Sequence, residues 1–157
     1  MKKGLTLIEL IVYIGIVSIV LVVMIDLSTN LVYSQKKATS KTEVQQNISL
    51  ISQDLINQIS NATAVTGAPT NDLNLTTATG TIAYSISSNA LQVSTDGGLP
   101  VPISNSKVVV SPPPGGQIFT KVTNGSGISV KINMVISLTT DINTKAELKT
   151  SVLVRGK

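Results

Sequence analysis

An uncharged apolar run near the N-terminus constrains this chain more than any other feature. Residues 10–25 contain no Asp, Glu, Lys or Arg, and Leu, Ile and Val dominate residues 5–25. A stretch of about 20 apolar residues spans the hydrocarbon core of a bilayer as an α-helix. Lys2 and Lys3 precede the run, and Asp26 follows it. Because positive charge stays on the cytoplasmic side, the pattern predicts a single-pass membrane protein with a cytoplasmic N-terminus.

One carboxylate, that of Glu9, lies inside this apolar run. Charged groups at membrane depth are costly, and where they occur they mark functional positions. Two ordinary explanations of the run stay open. The first is a secretory signal peptide, although its apolar region has only ~7–15 residues and Glu9 fits it poorly. The second is an uncleaved signal anchor.

The residues around Glu9 resemble the type IV prepilin signal. Gly4 ends a short basic tip, the apolar Leu5 follows, and Glu9 stands five residues after the glycine. The resemblance implies that the prepilin peptidase cuts between Gly4 and Leu5, releases residues 1–4 as a leader and methylates the new amino group of Leu5. The family usually has Phe where this chain has Leu5, but the position requires bulk and apolarity more than an aromatic ring. The resemblance covers residues 1–19.

Cleavage would place two opposite charges near each other. A new α-ammonium on Leu5 would lie one helical turn from Glu9, since residues i and i+4 are neighbours on a helix. In a bundle of such helices, Glu9 of one subunit would meet the Leu5 ammonium of another. An unpaired buried carboxylate costs several kcal/mol, so this pairing would fix the register of assembly. Gly15 and Ser18 are expected to permit close packing of the transmembrane helices.

A second helical pattern follows the membrane-length run. From Val44 apolar residues recur at steps of four, three, four and four, which indicates an amphipathic helix. The members of this stripe are Val44, Ile48, Ile51, Leu55 and Ile59. No proline or glycine interrupts the chain between Ser18 and Asn61. The sequence therefore predicts one helix from Leu5 to about Asn61, with residues 5–25 as its transmembrane half and residues 26–61 as its amphipathic half.

The remainder of the chain changes from a helical period to a period of two. Residues 62–80 are rich in Thr, Ala and Asn and contain Gly67 and Pro69, so they are predicted to form a variable loop. Residues 81–157 alternate between apolar and polar types and are interrupted by turn residues, which predicts a β-rich globular head. The alternation on both sides of Ser87-Ser88-Asn89 predicts a hairpin, and residues 128–138 are predicted to form the longest strand, with every second residue from Ile128 on its apolar face. The predicted fold class is α+β, a long N-terminal α-helix packed on a C-terminal antiparallel β-sheet head.

The composition excludes most catalytic chemistry. The chain has no His and no Cys, which removes Ser-His-Asp sites, Cys-His sites and the usual zinc ligand sets. Its eight carboxylates are scattered, without the spacing of an acid–base pair or a calcium loop. We therefore expect no catalytic residues, no metal, no cofactor and no enzymatic activity. The net charge of +4 and four aromatic residues give no direct evidence for nucleic acid binding.

The resemblance to the prepilin signal implies that the chain is a structural subunit of a type IV pilus or a related pseudopilus. The strand-rich second half looks like that of a minor pilin or a type II secretion pseudopilin. The resemblance implies four kinds of partner: the prepilin peptidase and methyltransferase, other pilin or pseudopilin subunits in a homo- or heteropolymer, an inner-membrane assembly platform, and the lipid bilayer. It also implies a membrane location before assembly and a location in the pilus, or fimbrium, at the cell surface afterwards.

Two other classes of protein stay open. The chain could be a membrane-anchored binding module that never polymerises, with an extracytoplasmic β domain. Such a module would have no use for cleavage after Gly4, so the N-terminus of the mature protein separates the two classes. An enzyme carried on a signal anchor is the other class, and the absence of His and Cys disfavours it.

Overall fold

A single long helix begins the described part of the chain. The computed structural model describes residues 6–67, 70–125 and 127–155. Helix α1 runs over Leu7–Asn61 and contains 55 residues. The predicted helix and its end at Asn61 are therefore confirmed, but the helix begins at Leu7, because Thr6 precedes it and is not helical. Leu5, the predicted start, lies outside the described residues. The chain divides into two compact units, with the boundary inside α1 between Thr39 and Ser40.

Two antiparallel sheets follow the helix. The described strands are β1 (Ala64–Thr66), β2 (Leu73–Thr77), β3 (Gly80–Ser87), β4 (Ala90–Thr95), β5 (Val101–Pro102), β6 (Val108–Ser111), β7 (Phe119–Asn124), β8 (Gly127–Leu138) and β9 (Lys145–Val154). Strands β1 to β5 form one sheet in sequence order. In the second sheet, β8 pairs with β6 and β7 along different stretches and with β9 over most of its length. The predicted α+β class is confirmed.

The last part of α1, residues 44–59, packs against this β-rich region, whereas residues 26–39, which were predicted to belong to the amphipathic half, are exposed. Val44, Ile51, Leu55 and Ile59 are buried, and Ile48 is half-buried, as the apolar stripe predicts. They share one core with apolar side chains of both sheets. Full burial of such a side chain stabilises a fold by about 1.5–3 kcal/mol. Hydrophobic burial therefore fixes residues 44–59 of the helix on the sheets.

The clearest strand predictions are confirmed by the pairing. β3 and β4 form the predicted hairpin, and its two turn residues, Ser88 and Asn89, have φ angles of 52° and 62°. Positive φ at both central positions matches the right-handed twist of the flanking strands. β8 is the longest strand in the described ranges, and its residues Val130, Ile132 and Met134 are buried on the predicted face.

The prediction of a loop over residues 62–80 is wrong. This segment contains β1 and β2, which add two strands to the first sheet and place the start of the β region at Ala64. Val65, Leu73 and Leu75 are buried, and they alternate with exposed polar or small residues. The abundant Thr and Asn lowered the apparent apolarity, although a strand needs only one apolar face.

Candidate functional site

The N-terminal part of α1 is an exposed apolar surface. Every residue from 7 to 25, here called the apolar segment, is exposed, with Leu7 at 77% and Ile19 at 67%. Soluble monomers rarely expose contiguous apolar patches larger than a few hundred Å². By length and composition, α1 is a helix that can cross a membrane, and it lies near the N-terminus. The prediction of a membrane-spanning segment is thus supported at this coarse level.

Glu9 is held at the start of the apolar segment by Thr6. The backbone N–H of Thr6 donates to Glu9 Oε2 at 2.8 Å, and the Thr6 hydroxyl donates to the same oxygen at 2.9 Å. Thr6 immediately precedes α1, and its carbonyl accepts the first helical hydrogen bond, from Leu10 N at 3.2 Å. The contact is the glutamate half of a capping box, in which a side chain at the third helical position satisfies a free N–H before the helix.

The hydrogen bonds between Thr6 and Glu9 were not among the contacts predicted from the sequence. The signal was present as Thr6-x-x-Glu9, the spacing of a capping box. An ionised carboxylate has about four acceptor positions, and the two hydrogen bonds from Thr6 both go to one oxygen. Glu9 can therefore accept further hydrogen bonds from a cation while it keeps the helix start capped.

The other predicted site residues fall into two groups. Gly4 and Leu5 lie outside the described residues, so cleavage, methylation and the pairing of Leu5 with Glu9 stay predictions. Gly15 and Ser18 are exposed on neighbouring turns of α1. A Cβ added to Gly15 would meet nothing within 4 Å, and the Ser18 hydroxyl donates to Ile14 O at 2.7 Å. That bond satisfies the hydroxyl inside its own helix, which suits a membrane or a packed bundle.

Two polar side-chain contacts join α1 to the β-rich region that follows it. Lys107 Nζ lies 2.8 Å from Glu43 Oε1, and this hydrogen-bonded carboxylate raises the pKa of Lys107. The hydroxyl of Tyr84 donates to Asp54 Oδ2 at 2.7 Å. Burial, with the adjacent Asp54 carboxylate, raises the pKa of Tyr84. Within the described residues, no group of three or more acidic side chains is placed to hold a metal ion.

Comparisons of the chain with protein-family models, curated proteins and solved structures find no match. A function for this chain must therefore be inferred from its own sequence and structure. Its most distinctive arrangement is the exposed apolar segment, whose single carboxylate, that of Glu9, is hydrogen-bonded to Thr6 at the start of α1.

Proposed function

We propose that this chain is a structural subunit of a type IV pilus or a related pseudopilus. It is made as an inner-membrane prepilin and cut after Gly4. Leu5 is then methylated, and the subunit assembles through its apolar helix. The observation that carries the proposal is the apolar segment, which is exposed throughout and bears one carboxylate, Glu9, in its first turn.

The apolar segment needs a partner other than water. In the precursor this partner is lipid, with the N-terminus in the cytoplasm and the β-rich unit outside it. In the filament the partner is a bundle of similar helices. Moving from lipid to such a bundle changes hydrophobic free energy little, so van der Waals packing and polar contacts must hold the bundle together. Gly15 and Ser18 provide a narrow stretch of helix surface where neighbouring helices can approach.

Glu9 supplies the polar contact. Hydrolysis of the Gly4–Leu5 peptide bond by water leaves an α-ammonium on Leu5, the residue next to Thr6. Glu9 already bonds to Thr6, and its remaining acceptor positions can take the ammonium of a neighbouring subunit. An unpaired carboxylate in an apolar bundle costs several kcal/mol. Registers that leave Glu9 unpaired are thereby rejected, and a single axial offset between subunits is selected.

The matched variants Glu9→Gln and Thr6→Val test this role. Gln can still accept the Thr6 N–H and cap the helix, but it carries no charge to pair with an ammonium. Both variants are expressed with the prepilin peptidase and an assembly platform, and filaments are quantified by electron microscopy and by shearing. We expect Glu9→Gln to reach the membrane and to be cleaved, yet to form no filaments. We expect Thr6→Val, which retains the Glu9 carboxylate, to form filaments.

Two outcomes contradict the proposed role of Glu9. Normal filaments from Glu9→Gln would show that the charge is dispensable. Loss of filaments in Thr6→Val with full assembly in Glu9→Gln would assign the role in assembly to the Thr6 hydroxyl instead of the Glu9 charge. Membrane fractionation of each variant serves as the control, because a chain that never enters the membrane cannot report on assembly.

A further inference from the structure

A cleft with a mixed polar and apolar lining lies where the two sheets meet. The residues that form it lie in the β3–β4 turn, in β4, β5 and β6, just before β6 and just after β8. Its volume is about 410 Å³. Pockets for small ligands occupy roughly 300–1,000 Å³. Its polar lining consists mainly of Ser88, Asn89, Gln92, Ser104, Asn105 and Thr139. The volume therefore suits a ligand of one or two sugar rings.

Backbone hydrogen bonds between different elements hold the walls of the cleft. Val110 N in β6 donates to the carbonyl of Asn89 in the β3–β4 turn at 2.8 Å. Thr139 N, just after β8, donates to the carbonyl of Lys107 at 2.9 Å. These bonds tie the cleft to both sheets. A site held in this way needs little ordering when a ligand enters, and preorganisation of that kind favours binding.

One wall of the cleft is held in place by a buried amide of α1. Asn47 is only 7% exposed and stands on the otherwise apolar face of the helix. Its Oδ1 accepts a hydrogen bond from Asn105 N at 3.0 Å, and its Nδ2 donates to Glu43 O at 2.9 Å. A buried polar group on an apolar stripe lowers stability unless it is hydrogen-bonded. Here it positions Asn105 and the segment beside it, which forms one wall of the cleft.

The lining offers neutral hydrogen-bonding groups. In the described part of the chain, the side chains of Asn89 and Gln92 make no hydrogen bond, although both line the cleft. The buried hydroxyl of Ser104 also lacks a partner within the described ranges. Each amide presents one acceptor and two donors side by side. That arrangement matches two adjacent hydroxyl groups, because each hydroxyl both donates and accepts.

We propose that this cleft binds a neutral saccharide. The polar groups of its lining are hydroxyls and amides, and no charged side chain lines it among the described residues. The nearby Lys107 ammonium is paired with Glu43 at 2.8 Å. The larger, apolar share of the lining can contact the C–H face of a sugar ring, and it comes from Ala90, Pro102, Val108 and Val109. The inference goes beyond the proposed function, because the cleft belongs to a single chain whether or not it polymerises.

The test is a titration of the full-length chain, labelled with ¹⁵N, in detergent micelles. The probes are glucose, galactose and N-acetylglucosamine, with glucuronic acid as a charged comparison. Few neutral hydrogen bonds give millimolar affinity, so the sugars are added to high concentration. We expect at least one neutral sugar to cause saturable shifts of the amide signals of Asn89, Gln92 and Asn105. We expect glucuronic acid to bind more weakly.

Two variants localise the binding. Asn89→Gly removes the amide but still allows the positive φ of 62° at this position. Gln92→Ala removes the second amide from β4. Together they should weaken binding by about tenfold or more, since each lost neutral hydrogen bond contributes roughly 0.5–1.5 kcal/mol. Gln53→Ala, on the exposed part of α1 and away from the cleft, is the matched control and should bind as the parent chain does.

Three results would overturn the proposal. One is the absence of saturable shifts with every neutral sugar. Another is equal binding by the double variant and the parent chain. The third is tighter binding of glucuronic acid than of the neutral sugars. None of these depends on cleavage after Gly4 or on filament formation, so failure here is distinct from failure of the proposed function.

Discussion

The hydroxyl of Tyr84 donates a 2.7 Å hydrogen bond to Asp54 Oδ2, which joins α1 to β3, the central strand of the first sheet. Tyr84 is completely buried. Removing the hydroxyl leaves a carboxylate without its partner, so Tyr84→Phe should lower the free energy of unfolding by about 1–3 kcal/mol. Urea unfolding of the full chain in micelles, followed by circular dichroism, measures the change. Tyr33→Phe is the control, because Tyr33 is exposed and removal of its hydroxyl should leave the free energy of unfolding unchanged.

The same pair predicts how stability depends on pH. Burial and the adjacent Asp54 raise the pKa of Tyr84 above that of an unfolded tyrosine, which is about 10. The stabilising contribution is therefore complete below pH ~10 and is lost as the pH rises toward the folded-state pKa, because only the unfolded chain then releases the proton. We expect the unfolding free energy of the parent chain to fall more steeply above pH ~10 than that of Tyr84→Phe. If the unfolding free energies of the two proteins fell with the same slope above pH ~10, the contribution of the Tyr84 hydroxyl to this pH dependence would be contradicted.

Gly80 is predicted to be intolerant of a side chain. Its φ is 150°, and an added Cβ would collide with the carboxylate of Asp96, which accepts a 2.7 Å hydrogen bond from Thr81 N. Gly80→Ala should lower the free energy of unfolding by about 1–3 kcal/mol through strain and the displaced carboxylate. Gly97→Ala is the comparison, since φ is positive there but nothing lies within 4 Å of the added atom. A larger loss in Gly97→Ala than in Gly80→Ala would disprove the steric explanation.

Asn47 is predicted to be needed as an amide. Asn47→Leu fits the apolar stripe in size and polarity, yet it removes the acceptor of Asn105 N. We expect about 1–3 kcal/mol of lost stability, because a buried donor is left without a partner. The amide signals of residues 104–106 should also shift in the NMR spectrum. A variant as stable as the parent, with those signals unchanged, would show that water replaces the amide without consequence.

The helical part of the fold can be predicted from the distribution of apolar residues in the sequence. The uncharged run has the length of a membrane-spanning helix. The stripe from Val44 to Ile59 has a helical period, and no proline or glycine interrupts the chain between Ser18 and Asn61. The end at Asn61 and the buried face were therefore predictable. The β3–β4 hairpin was also predictable, since its apolar residues alternate around a short polar turn.

Long-range contacts were harder to predict. β1 and β2 are short, and their polar residues are Thr and Asn, which also form loops, so their alternation was overlooked. Asn47 can occupy the buried face of α1 because its side chain accepts a hydrogen bond from Asn105 N. Asn105 is 58 residues away in the sequence. No local sequence pattern predicts a hydrogen bond between residues so far apart in the chain. The cleft likewise combines residues from both sheets, and it becomes visible only once the strands are paired.

The capping contact at the helix start shows what local sequence can and cannot indicate. The Thr6-x-x-Glu9 spacing predicts a capping box by itself. The second partner proposed for Glu9, the Leu5 ammonium, is created only by cleavage, so its pairing depends on processing as well as on sequence.

The central claim is that the chain is cut between Gly4 and Leu5 to expose that ammonium. Intact-protein mass spectrometry of the chain, extracted from cells that contain the prepilin peptidase, tests it most directly. The proposal predicts a mature protein that begins at Leu5, has lost residues 1–4 and carries one additional methyl group on its terminal nitrogen. A membrane-inserted protein that retains residues 1–4 would contradict the proposal and favour an anchored module that does not polymerise.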